Sequence, residues 1–176
     1  MTQYDVNIEE PVQATHISHS LGIKLFETSG AFTLYDIKNK TRKMKADPAS
    51  EVQQTDIDRE MVRTVAGTMD VPWGLLPFKK TADLPNGAVW QKVQSAQVDL
   101  IPEQTEIFDL FWSTEITGGK IDYQWRCHLD AVTKRPFKIE WRQKNQLNQE
   151  FELTTFTEIS YPTEMQIKGV IDQAGL

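Results

Sequence analysis

The sequence predicts a mainly β (α+β) fold, namely a curled antiparallel sheet or half-barrel with one central helix packed on its concave face and a short C-terminal helix. Three observations support this fold class. Short apolar segments alternate with clusters of turn residues along most of the chain. Residues 120–130 alternate strictly between apolar and polar side chains. Two segments, near residues 55–69 and 163–175, instead carry the apolar stripe and end signals of a helix.

The first half of the chain predicts a meander of antiparallel strands. Strand-like segments occupy residues 23–27 (IKLFE), 31–37 (AFTLYDI) and 41–46. Turn residues at Thr28-Ser29-Gly30 and Lys38-Asn39-Lys40 separate these segments. Because the connections are short, we expect each strand to pair with the next one along the chain.

The second half predicts further strands, of which residues 120–130 give the clearest pattern. On one side of this strand lie the apolar residues Ile121, Tyr123, Trp125, Cys127 and Leu129. Polar residues such as Gln124, Arg126 and His128 point the other way, so we expect one dry face and one wet face. Additional strands are expected near residues 88–100, 106–112, 137–142 and 150–159, with a turn at Gly118-Gly119.

The central helix is predicted from a capping pattern and an apolar stripe. Thr55 is a candidate N-cap, with Asp58 three positions later. The stripe consists of Ile57, Met61, Val65 and Met69. Residues 70–78 (DVPWGLLPF) contain two prolines and a glycine, so they predict an apolar loop that packs its side chains or gates a site.

The C-terminal helix has its own end signals. Thr163 and Gln166 have the spacing of a capping box, and Gly175 can adopt the left-handed conformation that ends a helix. Residues 1–11 lack a hydrophobic period, so the sequence predicts one domain over residues 1–176 with a flexible terminus at 1–11.

Composition limits the function classes. The 176 residues include one cysteine, Cys127, which excludes an intramolecular disulfide framework. The formal net charge of −6 disfavours attraction to nucleic acid or to anionic headgroups. No apolar run reaches the roughly 18 residues that a membrane-spanning helix needs, and residues 1–20 do not resemble an export signal. We therefore expect no stable membrane insertion, with localisation in the periplasm or cell envelope if an export signal has been removed and in the cytoplasm otherwise.

The basic residues concentrate in two windows that are interpreted as water-facing hairpins or, alternatively, as a patch for an anionic headgroup or acidic partner. The windows contain Lys38, Lys40, Arg42, Lys43 and Lys45, and then Lys134, Arg135, Lys138, Arg142 and Lys144.

No residues have the pattern of a catalytic or metal site. His16 and His19 would share one face only on a helix, and their segment is strand-like. Cys127 and His128 are adjacent, so on a strand they face opposite sides and cannot act as a nucleophile and its base. Asp130 precedes a turn, where aspartate commonly binds backbone amides. We expect no catalysis, no cofactor and no metal.

A broad sheet that curls around a helix either fills its interior with side chains or leaves an apolar hollow. The apolar loop at 70–78 favours a hollow with a mouth, which would hold an apolar ligand. The candidate ligand-binding residues are Phe32, Leu34, Met61, Val65, Trp73, Leu76, Phe108, Trp112, Tyr123, Trp125 and Trp141.

Residues 125–157 (WRCHLDAVTKRPFKIEWRQKNQLNQEFELTTFT) resemble the outer-membrane lipoprotein carrier family (LolA-like domains) and its relatives that sense envelope stress. The similar elements are an aromatic strand with Trp125, an Asp-x-x-Thr turn, a Pro, a strand ending in Ile139-Glu140, and a Thr/Phe-rich strand. The earlier hairpin SGAFTLYDIKNKTRKMKADP is also similar. The resemblance implies an unclosed antiparallel half-barrel lidded by helices, an apolar cavity for acyl chains and no enzymatic activity.

Two functions follow as alternatives. The first is non-catalytic binding of an apolar ligand, a lipid or a lipoprotein acyl chain, as a carrier or sensor. The second is an acidic protein-interaction module that binds a basic partner such as a toxin or a regulator, because the net charge of −6 would speed that encounter.

Overall fold

The computed structural model describes residues 1–68, 88–94, 104–144 and 150–176. The predicted apolar loop at 70–78, with Trp73 and Leu76, lies outside the described residues, as does Met69. The strands of the described part are β1 (Thr2–Asp5), β2 (Gln13–Ser18), β3 (Ile23–Thr28), β4 (Ala31–Asp36), β5 (Thr41–Lys45), β6 (Gln53–Asp56), β7 (Trp90–Lys92), β8 (Thr105–Ile116), β9 (Gly119–Asp130), β10 (Pro136–Lys144) and β11 (Glu152–Glu158). The helices are α1 (Arg59–Thr68) and α2 (Glu164–Ala174).

The predicted fold class is confirmed, since the described chain is mainly β with two helices. Hydrogen bonds join β6-β5-β4-β3-β2 side by side, and likewise β11-β10-β9-β8-β7, and neither run of described strands closes on itself. The strand pairs β2–β3, β3–β4, β4–β5, β5–β6, β7–β8, β8–β9, β9–β10 and β10–β11 are all antiparallel.

The chain divides into two compact units, which are described separately below. Of the described residues, the first unit contains 1–2, 10–68 and 160–176, and the second contains 3–9, 88–94, 104–144 and 150–159. The single domain expected from the sequence stays a prediction.

Strand β1 lies in the segment for which the sequence predicted a flexible terminus. Thr15 N donates to Met1 O at 2.8 Å in the first unit, and Val6 N donates to Thr154 O at 3.1 Å in the second. Tyr4 stacks on Phe156, with ring centroids 4.8 Å apart. These long-range contacts hold a strand that the local sequence does not signal.

The first unit is built on the predicted meander, because β2 to β6 pair in chain order. Leu25 lies opposite Leu34 across β3 and β4, and both are buried on the face that receives α2. Helix α2 buries Ile167 against this pair, so it is the C-terminal helix that covers this side of the meander.

Both ends of α2 are capped as the sequence predicts. The Thr163 side chain accepts a hydrogen bond from Gln166 N, and the Gln166 side chain accepts one from Thr163 N at 2.8 Å, which completes a capping box. Gly175 adopts φ +69° after the last turn, a left-handed conformation that costs little only for glycine. Lys45 Nζ donates to Ala174 O at 3.1 Å and places a positive charge at the helix C-terminus, where the helix dipole favours it.

Helix α1 starts later than the sequence predicts, so the assignment of Thr55 as N-cap is wrong. Thr55 lies in β6, and the Asp58 side chain accepts from Met61 N at 2.7 Å at the start of the helix. Asp58 is therefore the residue that satisfies this free amide. Of the predicted stripe, Ile57 and Val65 are buried, whereas Met61 is exposed.

The second unit contains the long strands. β8 and β9 form a hairpin of twelve residues each that turns at Thr117-Gly118, and Ile116 lies opposite Gly119. β10 continues the sheet and pairs Trp141 with Trp125, and β11 follows it. Asp130 has the predicted turn role, since its Oδ1 accepts from Val132 N and Thr133 N at 3.1 and 2.6 Å.

Candidate functional site

Four of the predicted ligand-binding residues meet on one face of the second unit. The aromatic cluster consists of Trp112 on β8, Tyr123 and Trp125 on β9, and Trp141 on β10. The hairpin register places Trp112 directly opposite Tyr123, and the next pair of strands places Trp141 opposite Trp125. Because side chains alternate along each strand, all four rings project from the same face.

The rings of the aromatic cluster contact one another in both stacked and edge-on geometry. Trp112 stacks on Tyr123 with centroids 5.2 Å apart, and its ring meets Trp125 at 5.1 Å and 89°. Trp141 lies 5.0 Å from Trp125 and 5.9 Å from each of the other two. These separations are in the range where aromatic pairs attract, at about 0.5–1.5 kcal/mol per pair beyond their buried area.

The aromatic cluster is only partly covered by the described residues. Trp141 is 37% exposed, and the other three residues are half-buried. The indole Nε1 of Trp125 is buried and has no hydrogen-bond partner among the described residues. The cluster presents a largely aromatic surface whose polar groups are three indole N–H groups and the Tyr123 hydroxyl, with no carboxylate or basic group, which suits an apolar ligand better than a charged one.

Next to the aromatic cluster, the same face of the sheet carries a small hydrophobic core. Leu129 and Cys127 are fully buried there, with Phe108, Ile139 and Trp90 packed against them. Phe108, a predicted ligand-binding residue, thus belongs to a packed region. Phe108, Ile139 and Trp90 are half-buried, like three residues of the aromatic cluster, and among the residues just named on this face only Trp141 is exposed.

The remaining predicted site residues of the described chain lie in the first unit. Leu34 and Phe32 pack in the core that holds α2, Val65 is buried on α1, and Met61 is exposed. Phe32 also lines a surface cleft of about 450 Å³. Their contact with a ligand stays a prediction.

The opposite face of the second unit is not the fully wet face that the sequence predicts. Asp109, Gln124 and Glu140 are only 6%, 5% and 5% exposed. These side chains can be buried without a large desolvation cost because each is hydrogen-bonded or ion-paired.

Asp109 is the centre of the first buried polar group. Arg126 Nε and Nη2 donate to its two carboxylate oxygens at 2.8 Å each, in bidentate geometry. Gln124 Nε2 donates to Oδ2, also at 2.8 Å. The carboxylate is the main cause of the raised pKa of Arg126, which stays fully charged.

Glu140 is the centre of a second group on this face. Arg142 Nη2 and Lys138 Nζ lie 2.7 and 3.0 Å from its carboxylate, and His128 Nε2 lies 3.3 Å away. Burial alone would raise the pKa of Glu140, but His128, Lys138 and Arg142 together outweigh it and hold that pKa well below its ordinary value.

Part of the second basic window is already neutralised inside the protein. Lys138 and Arg142 pair with Glu140, Lys134 Nζ lies 2.7 Å from Glu106, and Lys144 Nζ lies 3.9 Å from Asp122. These pairs favour the water-facing interpretation of the window over an anionic patch.

The Asp109 group forms the floor of a surface cleft of about 350 Å³, which we call the polar cleft. The polar cleft is lined by Gln91, Lys92, Val93, Asp109, Phe111, Gln124, Arg126 and Phe151. The polar cleft is not predicted from the sequence. The predicted turn at Gly118-Gly119 would place Asp109 opposite His128, whereas the observed turn at Thr117-Gly118 pairs Ile116 with Gly119 and so places Asp109 opposite Arg126.

Cys127 does not have the properties of a nucleophile. It is fully buried, and burial raises the pKa of its thiol to about 12. His128 projects from the other face towards Glu140. Within residues 1–68, 88–94, 104–144 and 150–176, no three His, Cys, Asp or Glu side chains come together as metal ligands.

Comparisons with models of protein families, with curated proteins and with solved structures find no match to this chain. Neither α1 nor α2, the helices of the described part, is long and apolar enough to cross a membrane.

Proposed function

We propose that this chain is a non-catalytic binding protein whose aromatic cluster in the second unit takes an apolar ligand, the acyl chain of a lipid or of a lipoprotein. The observation that carries the proposal is a group of four contacting rings, with Trp141 37% exposed, beside the buried Cys127 and Leu129 on the same sheet face. An exposed group of large aromatic side chains is costly in water and commonly marks a binding surface.

Energetics support an acyl chain as the ligand. Each methylene removed from water contributes about 0.8 kcal/mol, so about ten methylenes would contribute about 8 kcal/mol. That gain is comparable with the roughly 4–15 kcal/mol that association costs in lost freedom. Ten fully buried methylenes therefore leave a net gain, about 4 kcal/mol, only at the low end of that cost, so longer acyl chains should bind more tightly than short ones. Because this gain needs no salt bridge, the aromatic cluster would discriminate weakly between headgroups.

The resemblance of residues 125–157 to the lipoprotein carrier family supports the same proposal. A carrier or a sensor in the periplasm or cell envelope would use such a surface to shield an acyl chain from water. The resemblance and this localisation stay predictions.

The experiment uses a fluorescent fatty acid, 11-(dansylamino)undecanoic acid, titrated into the full chain. We expect its emission to rise and shift to the blue as the dansyl group leaves water. Trp141→Ala is expected to weaken binding about tenfold, which corresponds to about 1.4 kcal/mol of lost contact. The matched control is Phe137→Ala, because Phe137 has nearly the same exposure, 40%, and contacts His128 instead of the aromatic cluster.

Both variants are first checked for native circular dichroism. Absence of any dansyl response with the wild type would contradict the proposal. Equal weakening by Trp141→Ala and Phe137→Ala would also contradict it, because binding would then not depend on the aromatic cluster.

A further inference from the structure

We propose that the polar cleft of the second unit is a separate binding site for a neutral sugar. This proposal does not rest on the acyl-chain function, because the cleft lies on the opposite face of β8 and β9 from the aromatic cluster. Asp109 lies between Phe108 and Leu110 along β8, and Gln124 precedes Trp125 along β9, so the two sites use alternating side chains.

The floor of the polar cleft holds hydrogen-bonding groups in fixed positions. Gln124 uses its amide nitrogen to bind Asp109, so its carbonyl Oε1 is left as an acceptor. Arg126 uses Nε and Nη2 to bind the same carboxylate, and its Nη1 donates to none of the described residues. An acceptor and two N–H donors are thus held side by side by one buried carboxylate, an arrangement that matches neighbouring hydroxyl groups, each of which both donates and accepts.

The charges on the floor of the polar cleft cancel, which favours an uncharged ligand, because Arg126 is paired with Asp109. Lys92 at the rim shares Glu106 with Lys134, but its side chain is 58% exposed, so water screens its charge. The net charge of −6 on the whole chain repels phosphate-bearing ligands such as nucleotides. A neutral molecule rich in hydroxyl groups needs no counter-charge in the cleft and is not repelled by the net charge of the chain.

The walls of the polar cleft are apolar. The rings of Phe111 and Phe151 lie 5.7 Å apart, and Phe111 is 41% exposed. The C–H face of a pyranose ring packs on such an aromatic wall while its hydroxyl groups reach the polar floor. The volume of about 350 Å³ is at the lower end of the roughly 300–1,000 Å³ typical of small-molecule sites, which fits a short sugar.

The test is a titration of the ¹⁵N-labelled full chain, followed by two-dimensional NMR, with the methyl glycosides of glucose, galactose, mannose and N-acetylglucosamine. We expect at least one glycoside to bind in the millimolar range and to shift the amide signals of Gln91, Val93 and Phe111. Phe111→Ala is expected to weaken this binding about tenfold, because the variant removes one wall. Phe137→Ala, equally exposed but outside the cleft, is expected to change it by less than about twofold.

Other probes separate the possible ligands. Glucuronate should bind more weakly than methyl glucoside, because the floor of the cleft, where Arg126 is paired with Asp109, offers no uncompensated positive charge. Uridine provides a base without a phosphate, and stronger shifts with uridine than with any glycoside would overturn the assignment to a sugar. The proposal is also overturned if none of the four glycosides shifts the cleft amides, or if Phe111→Ala binds as tightly as the wild type.

Discussion

Asp109→Ala is expected to destabilise the second unit strongly. Asp109 is buried and receives three hydrogen bonds, two from Arg126 and one from Gln124. The substitution leaves the Arg126 guanidinium, whose side chain is only 17% exposed, without its counter-charge, and it leaves the Gln124 amide unpaired. Removing Asp109 alone therefore destabilises the fold by more than the whole ion pair stabilises it, because the charge of Arg126 remains buried without a partner.

The expected magnitude follows from this geometry. Removing one partner of a buried pair typically costs about 3–5 kcal/mol. Because Arg126 retains some exposure, we expect a loss near the lower end, about 3 kcal/mol in the free energy of unfolding. The matched control, Asp122→Ala, removes a more exposed carboxylate that pairs with Lys120, and it should cost less than about 1 kcal/mol.

Urea unfolding followed by tryptophan fluorescence measures both variants. Trp90, Trp112, Trp125 and Trp141 all lie in the second unit, so their signal reports on the structure that contains Asp109. The double variant Asp109→Leu/Arg126→Met should recover much of the loss, because no buried charge is then left unpaired. A cost of Asp109→Ala no larger than that of Asp122→Ala would refute the reasoning.

Two further predictions concern the titratable groups. The pKa of Glu140 is lowered in the folded protein relative to its ordinary 4.5, so its stabilising contribution is present above that value and is lost as the pH falls towards the folded pKa. In urea unfolding at a series of pH values below about 5, the stability of Glu140→Gln should fall less steeply than that of the wild type, and parallel profiles would contradict this. Cys127 is fully buried with a pKa of about 12, so it should react with Ellman's reagent at pH 8 only after urea is added. Rapid labelling in native buffer would show that the thiol is accessible.

The sequence could predict the elements that depend on local signals. The capping box of Thr163 and Gln166, the turn role of Asp130 and the alternation along β9 are all confirmed. Each depends on residues within a few positions of one another, so the pattern and the structure have the same physical cause. The strands β1 and β6 were missed, because their short polar segments are held by hydrogen bonds to neighbouring strands and have no apolar period.

In the candidate site, too, local patterns could be predicted from the sequence, whereas contacts between strands could not. Alternation placed Tyr123 and Trp125 on one side of β9, and their contact with Trp112 and Trp141 required the strand register that the hairpin and β10 supply. The burial of Gln124 and of its partner Asp109 could not be seen from alternation, which says which side a residue faces but not whether water reaches that side.

The sequence by itself therefore determined the β class, the two helices and the face on which the residues of a strongly alternating strand such as β9 lie, because these follow from backbone geometry over a few residues. Only the tertiary structure decided that one face carries a partly exposed aromatic cluster and the other a buried Asp109–Arg126 pair. Burial and ion pairing depend on which strands lie side by side. That arrangement is selected by contacts between residues far apart in the sequence, and such contacts have no characteristic sequence spacing.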